Sequence, residues 1–156
     1  MTNLCCDVLQ ALNGKTLVTA ESCTGGGIGA VITAVPGSSS VFKGGVISYS
    51  NEVKHRVLGV PEEYLSEYGA VSAPVACAMA EGVRKFLCAD VAVSVTGLAG
   101  PGGDEFGNPV GTVFIGYSDG NGTVCERFLF HGDREQVRAQ TVEKALQLIL
   151  QKNTES

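Results

Sequence analysis

The sequence predicts an α/β fold built on one mixed sheet, and two patterns in it predict this. Short runs of small and branched residues, at 16–20 and 90–96, alternate with stretches of helical period, at 25–34 and 72–88. Two further runs, 111–118 and 123–130, are joined by Asp119-Gly120-Asn121-Gly122, a hairpin sequence that makes the sheet mixed rather than all parallel. With 156 residues and no linker or repeat before the last few residues, the chain fits a single domain.

Taken in order, residues 4–13 predict a short helix that stops at Asn13-Gly14. Residues 16–20 form a buried strand, and Gly25 to Ala34 a helix closed by Val35-Pro36-Gly37. A strand with a glycine bend covers 41–49, after which Ser50 or Asn51 caps a short helix carrying Lys54. Pro61-Glu62-Glu63 opens another short helix, with proline and acids where a first turn favours them. Ser72-Ala73-Pro74 starts a helix to about Cys88, with Val75, Met79, Val83 and Phe86 on its apolar face. Residues 90–96 make the clearest strand. Asp133 caps a last helix running to 150, with Val137, Thr141, Ala145, Leu148 and Ile149 on one face.

Composition excludes several classes. A net charge of -5 with few basic clusters argues against a nucleic-acid face, though not against one bound phosphate. No run of about 18 apolar residues occurs, so no membrane span is expected. The N-terminus has no basic start and no long apolar run, so no signal peptide is expected. The six cysteines form no C-x-x-C pair, and two histidines add no zinc ligand set. The expectation is a reduced, cytoplasmic protein. The 21 glycines cluster at turns without a fixed period, which rules out a collagen-like chain.

The chemistry concentrates where the first strand hands over to a helix, at Glu21-Ser22-Cys23-Thr24-Gly25-Gly26-Gly27. Helix N-termini expose unpaired N–H groups that favour an anion or a developing oxyanion. Ser22 is therefore either a helix N-cap or a nucleophile. Cys23 is a possible nucleophile without an adjacent histidine to activate it. Gly25, Gly27 and Ala30 match the dinucleotide fingerprint weakly, because four residues separate them from the strand, and no Walker A pattern follows. Lys54 is either a surface lysine or a base whose pKa burial or neighbouring charge from Arg56 or Lys43 must lower. Tyr49 is a strand-edge residue or a proton relay. Thr96 leads into Gly97-Leu98-Ala99-Gly100-Pro101-Gly102-Gly103, an elaborate turn or a nest of N–H groups for phosphate.

These segments, together with Gly69-Ala70-Val71-Ser72 and Pro109-Val110-Gly111-Thr112-Val113, occur in the order found in one family. The chain resembles a stand-alone CinA C-terminal domain of the nicotinamide mononucleotide amidohydrolase (PncC) type, over essentially its whole length. The resemblance implies a three-layer α/β/α sandwich with a mixed, mostly parallel sheet, often a homodimer. It implies hydrolysis of the carboxamide of nicotinamide mononucleotide to nicotinate mononucleotide and ammonia, with no cofactor and no metal. Ser22, Lys54 and Tyr49 take the family's catalytic positions. Thr24, Gly25, Gly26, Thr96, Gly97, Gly100 and Gly102 fall in the substrate site, and Arg138 in a region that could pair with phosphate. Asp104-Glu105-Phe106 replaces a further family glycine, and two acids there repel a phosphate unless they point away.

The mechanism expected is a Ser–Lys one. Neutral Lys54 takes the Ser22 proton, N–H groups near Thr24 and Gly25 hold the oxyanion, and Lys54, through Tyr49, protonates ammonia. The competing expectation is a non-catalytic nucleotide-binding or regulatory module of the same fold. Only ammonia release separates the two.

Overall fold

The computed structural model describes residues 1–154. Its centre is a five-stranded sheet made of β1 (Leu17–Glu21), β2 (Phe42–Ile47), β3 (Val91–Gly97), β4 (Thr112–Asp119) and β5 (Gly122–Leu129), in the order β2-β1-β3-β4-β5. β1 pairs in parallel with β2 and β3, whereas β4 runs antiparallel to β3 and to β5. Four of the five strands therefore point the same way, and β4 alone is reversed. All five residues of β1 are buried, as a central strand covered on both faces requires.

The layers follow from alternation along the strands. Val91, Val93 and Val95 of β3 face a cluster that includes Val8 of α1 (Thr2–Ala11), Ile28 of α2 (Gly27–Thr33) and Leu146 of α6 (Arg134–Thr154). Ala92 of β3, with Val18 and Ala20 of β1, faces a second cluster that includes Val75, Met79 and Val83 of α5 (Ala73–Phe86). The sandwich is thus three-layered. Two short helices, α3 (Asn51–Arg56) and α4 (Glu62–Glu67), precede α5, and Leu58 and Val60 between them belong to the second cluster.

Local signals decide most boundaries. Ser50 caps α3, its Oγ accepting from the N–H of Val53 at 3.2 Å. Asp133 and Gln136 close a reciprocal box at the start of α6, at 2.9 and 2.8 Å. The expected face of α6, from Val137 to Ile149, is buried. Phe86 departs from expectation at 59% exposed. The chain leaves helical geometry at the next residue, and Leu87 packs on the cluster in its place. α2 begins at Gly27, later than expected, because Gly25 and Gly26 adopt φ of +59° and +104° and make a left-handed turn before it.

The parallel strands end together. Glu21, Ile47 and Gly97 close β1, β2 and β3 at one edge of the sheet, the edge where α/β folds bind ligands. Among the described residues no helix is long and apolar enough to cross a membrane.

Candidate active site

Three segments meet at that edge. Ser22 follows β1, Ser48 and Tyr49 follow β2, and α3 projects Lys54 back beneath them. The Lys54 Nζ lies 3.0 Å from Ser22 Oγ and donates to the carbonyls of Ser48, at 2.7 Å, and Tyr49, at 3.3 Å. Three acceptors match the three donors of an ammonium group. Yet Lys54 is only 1% exposed, and burial pulls its pKa from 10.5 down to about 8. Arg56 and Lys43 contribute no such effect: Arg56 pairs with Glu52 at the surface and Lys43 reaches the Cys88 carbonyl.

Ser22 is not the cap of α2, whose N-cap is Gly26. The helix start is occupied by Glu21, a residue that the sequence reading left without a role. Its carboxylate is 2% exposed and accepts from the N–H of Ile28 at 2.8 Å and of Gly29 at 3.1 Å. It also accepts from the hydroxyls of Thr24, at 2.6 Å, and Thr19, at 3.4 Å. The anion expected at this helix terminus is thus the protein's own side chain. An acid at a strand end just ahead of a helix was the available signal.

This anchoring shapes the turn that carries Ser22. The Thr24 hydroxyl is committed to Glu21, and the Gly25 N–H to the Ser22 carbonyl at 3.0 Å. Arg138 braces the same turn from α6, donating to the carbonyls of Cys23 at 3.0 Å and Thr24 at 3.1 Å. The phosphate role implied for Arg138 competes with those bonds. Cys23 is buried beside Ser22, and burial pushes its thiol up to about 11, so it is not a ready nucleophile.

A cleft of 270 Å³ opens next to the turn, lined by Cys23, Tyr49, Gly97, Leu98, Ala99, Gly100, Gly102 and Arg134. Gly97 is required there, since a Cβ would lie 2.6 Å from the Val113 side chain. Gly100 has φ +96°, and its carbonyl accepts from Arg134 Nη1 at 2.7 Å. Arg134 Nη2 meets the Tyr49 hydroxyl at 3.2 Å. Tyr49 therefore offers Lys54 its carbonyl, not the hydroxyl that a proton relay needs. The loop is also less open to anions than a full nest, because the Leu98 N–H is bound to the Thr112 carbonyl at 2.9 Å. Thr96 is buried with its hydroxyl on the Ala70 carbonyl at 2.8 Å, so it supports the loop from beneath.

Arg134 is the residue that sequence reasoning passed over in this cleft. It stands four positions before Arg138 in α6, on the same face of the helix. The two acids of the loop turn elsewhere. Asp104 accepts from the N–H groups of Phe106 and Asn108 and from the Asn108 amide, and these bonds outweigh burial to hold its carboxyl below the usual range. Glu105 lines a larger cavity of 480 Å³, with Phe106 and residues of α3 and α4. That cavity includes neither Ser22 nor Lys54, so size alone misplaces the chemistry. Among the described residues, no three His, Cys, Asp or Glu side chains converge where a metal ion could be held.

The molecule is thus an α/β sandwich with a buried serine–lysine pair at the carboxyl edge of its parallel strands. The chain belongs to the CinA C-terminal domain family, whose profile matches residues 2–153. It is 51% identical over 147 residues to the nicotinamide-nucleotide amidohydrolase PncC of Pseudomonas putida, covering 94% of this chain and 91% of that one. It is 54% identical to a CinA-like protein of Parasynechococcus marenigrum over 136 residues, 86% of this chain. It spans about a third of the length of that relative and of several others. The crystal structure of the competence damage-inducible protein A from Klebsiella pneumoniae superposes with a TM-score of 0.94 at 38% identity, covering 97% of this chain and 95% of that one.

Proposed function

We propose that this domain hydrolyses the carboxamide of nicotinamide mononucleotide to nicotinate mononucleotide and ammonia, with Ser22 as nucleophile and Lys54 as base. The observation that carries the reading is the 3.0 Å contact between Ser22 Oγ and a lysine that burial has made easy to deprotonate. Similarity to PncC of Pseudomonas putida over nearly the whole of both chains supports the substrate class.

Neutral Lys54 takes the Ser22 proton as Oγ attacks the amide carbon. The Gly25 N–H is engaged in the turn, so the oxyanion is assigned to the Thr24 N–H of the same turn. Arg138 and Glu21 hold the turn rigid from both sides, so that this geometry is set before substrate arrives. Protonated Lys54 gives its proton to the departing ammonia directly, because the Tyr49 hydroxyl is turned to Arg134. Water then hydrolyses the acyl-enzyme, with Lys54 again as base. The cleft beside the turn suits the nucleotide, and Arg134 is the cation lining it for the phosphate. A homodimer in the cytoplasm remains part of this reading.

The test is ammonia release from nicotinamide mononucleotide, beside nicotinamide and NAD. Release from the mononucleotide with little from free nicotinamide is expected. Binding of the mononucleotide with no ammonia released would replace the amidase by a nucleotide-binding module.

A further inference from the structure

Cys77 stands in the first half of α5 and Cys125 midway along β5, near enough for each thiol to shift the other's ionisation. The sheet register accounts for this proximity. Cys125 is paired with Gly116 across the β4–β5 ladder, so the two residues present the same face. That face is covered by α5, since a Cβ on Gly116 would fall 2.6 Å from the Ala76 carbonyl oxygen. Cys77 follows Ala76, and the missing side chain of Gly116 leaves room for Cys125 to reach it. Further along, Arg84 Nε donates to Ser118 Oγ at 2.9 Å, and Ser118 Oγ meets Thr123 Oγ1 at 2.8 Å. This second tie holds α5 in place over β4 and β5. Both thiols are half-buried, whereas Cys6 and Cys88 are exposed.

We propose that Cys77 and Cys125 form a redox-convertible site, closed by an oxidant of the hydroperoxide class to an intramolecular disulfide that staples α5 to β5 and reopened by thiol reductants. The steps balance. The Cys77 thiolate attacks the peroxide, an S–O bond forms, the O–O bond breaks, and the leaving oxygen takes a proton to become water from hydrogen peroxide or an alcohol from an organic hydroperoxide. Cys125 then gives up its proton and attacks Cys77 Sγ. The S–S bond forms, the S–O bond breaks, and water leaves. Two electrons from the two sulfurs reduce one hydroperoxide.

Burial raises both thiols, Cys125 to about 12, so Cys77 ionises first and closure accelerates as pH rises. The site's position gives the staple a structural reach. Just before α5, the carbonyls of Ala70 and Val71 accept from Thr96 and Asn108, which flank the loop at the candidate active site.

The experiment treats the reduced full-length chain with hydrogen peroxide at about pH 8.5, where more of the Cys77 thiol is ionised than at neutral pH. Remaining thiols are then alkylated and the chain is digested for mass mapping. A peptide linking Cys77 to Cys125, lighter by two hydrogens and lost with dithiothreitol, is expected. The thermal midpoint should rise by about 5 °C on closure. Cys77→Ser and Cys125→Ser should each lose both effects. Oxidation of Cys6 and Cys88 while Cys77 and Cys125 stay alkylatable would overturn the proposal. A cross-link that leaves the midpoint unchanged would overturn the staple.

Discussion

Lys54 Nζ sits 3.0 Å from Ser22 Oγ, although 32 residues separate them in sequence and each arrives on a different element. The parallel pairing of β1 and β2 makes this possible. Both strands end at the same level, so the turn after one and the helix after the other meet. Ser22 is 8% exposed, and its Oγ accepts from Lys54. Ser22→Ala should therefore fold normally, with Lys54 still held by the carbonyls of Ser48 and Tyr49. Ammonia release should fall by more than about 1,000-fold. Comparison of circular dichroism and turnover for the two proteins checks this, and near-native turnover would remove Ser22 from the mechanism.

The lysine must be neutral to act as a base. With a pKa of about 8, roughly a tenth of it is neutral at pH 7, so kcat/KM should climb with pH and level off above about 8. Lys54→Arg keeps the charge but cannot lose its proton, and should cost about 100- to 10,000-fold at every pH. A pH–rate profile of both proteins decides. A flat profile from about two units below the plateau's onset to about one unit above it would exclude Lys54 as the base.

The same burial has a stability consequence of definite sign. A lysine lowered from 10.5 to about 8 binds its proton less readily folded than unfolded, which corresponds to about 3 kcal/mol of cost while it is charged. That cost is fully present below about pH 8, declines as pH rises, and is gone above 10.5. Lys54→Met escapes it but leaves two carbonyls without their donor. The stability difference between Lys54→Met and the parent should therefore shift in the parent's favour from pH 8 to 10.5. Urea midpoints across that range measure it, and a pH-independent difference would contradict the burial argument.

Much of this site was readable in sequence because it rests on local chemistry. Ser22 follows a strand, Ser50 caps α3, and Lys54 lies within that helix, all signalled by neighbouring residues. The role of Glu21 was not readable, because it depends on a left-handed turn at Gly25 and Gly26 that folds the α2 N-terminus back over the strand end. Which arginine meets the cleft was also hidden. Arg134 and Arg138 share a helix face, and only the placement of α6 decides that one reaches Gly100 and the other Cys23. Tyr49 shows a third limit. Its position at the site was legible, but not that its carbonyl turns to Lys54 and its hydroxyl to Arg134.

Glu21 supports the site without touching the chemistry, so its loss should show in stability first. Glu21→Gln puts an amide N–H among donors from Thr24, Ile28 and Gly29, and one of those bonds is lost. Destabilisation of about 1–3 kcal/mol is expected. Turnover should fall with it as the Ser22 turn loosens, while the pH of the lower limb stays near that of the parent. Denaturant midpoints and the pH–rate profile test both halves, and unchanged stability would show that the carboxylate does not hold the α2 terminus.

Arg134 provides the sharpest test of how the nucleotide is recognised. Its guanidinium bridges the Gly100 carbonyl and the Tyr49 hydroxyl across the cleft, so both contacts are available for exchange against a phosphate. Arg134→Gln keeps a hydrogen-bonding group but removes the charge. A charge-assisted bond contributes about 1.5–3 kcal/mol, so kcat/KM for nicotinamide mononucleotide should drop by about 10- to 100-fold. Turnover of free nicotinamide, which has no phosphate to bind, should be unaffected by the same change. The expected result is thus a collapse of selectivity rather than of chemistry, and ionic strength should weaken mononucleotide binding in the parent more than in the variant. Kinetics with both substrates at two salt concentrations measure this. An equal loss for both substrates would make Arg134 a brace for the loop, and no loss for either would place the phosphate elsewhere.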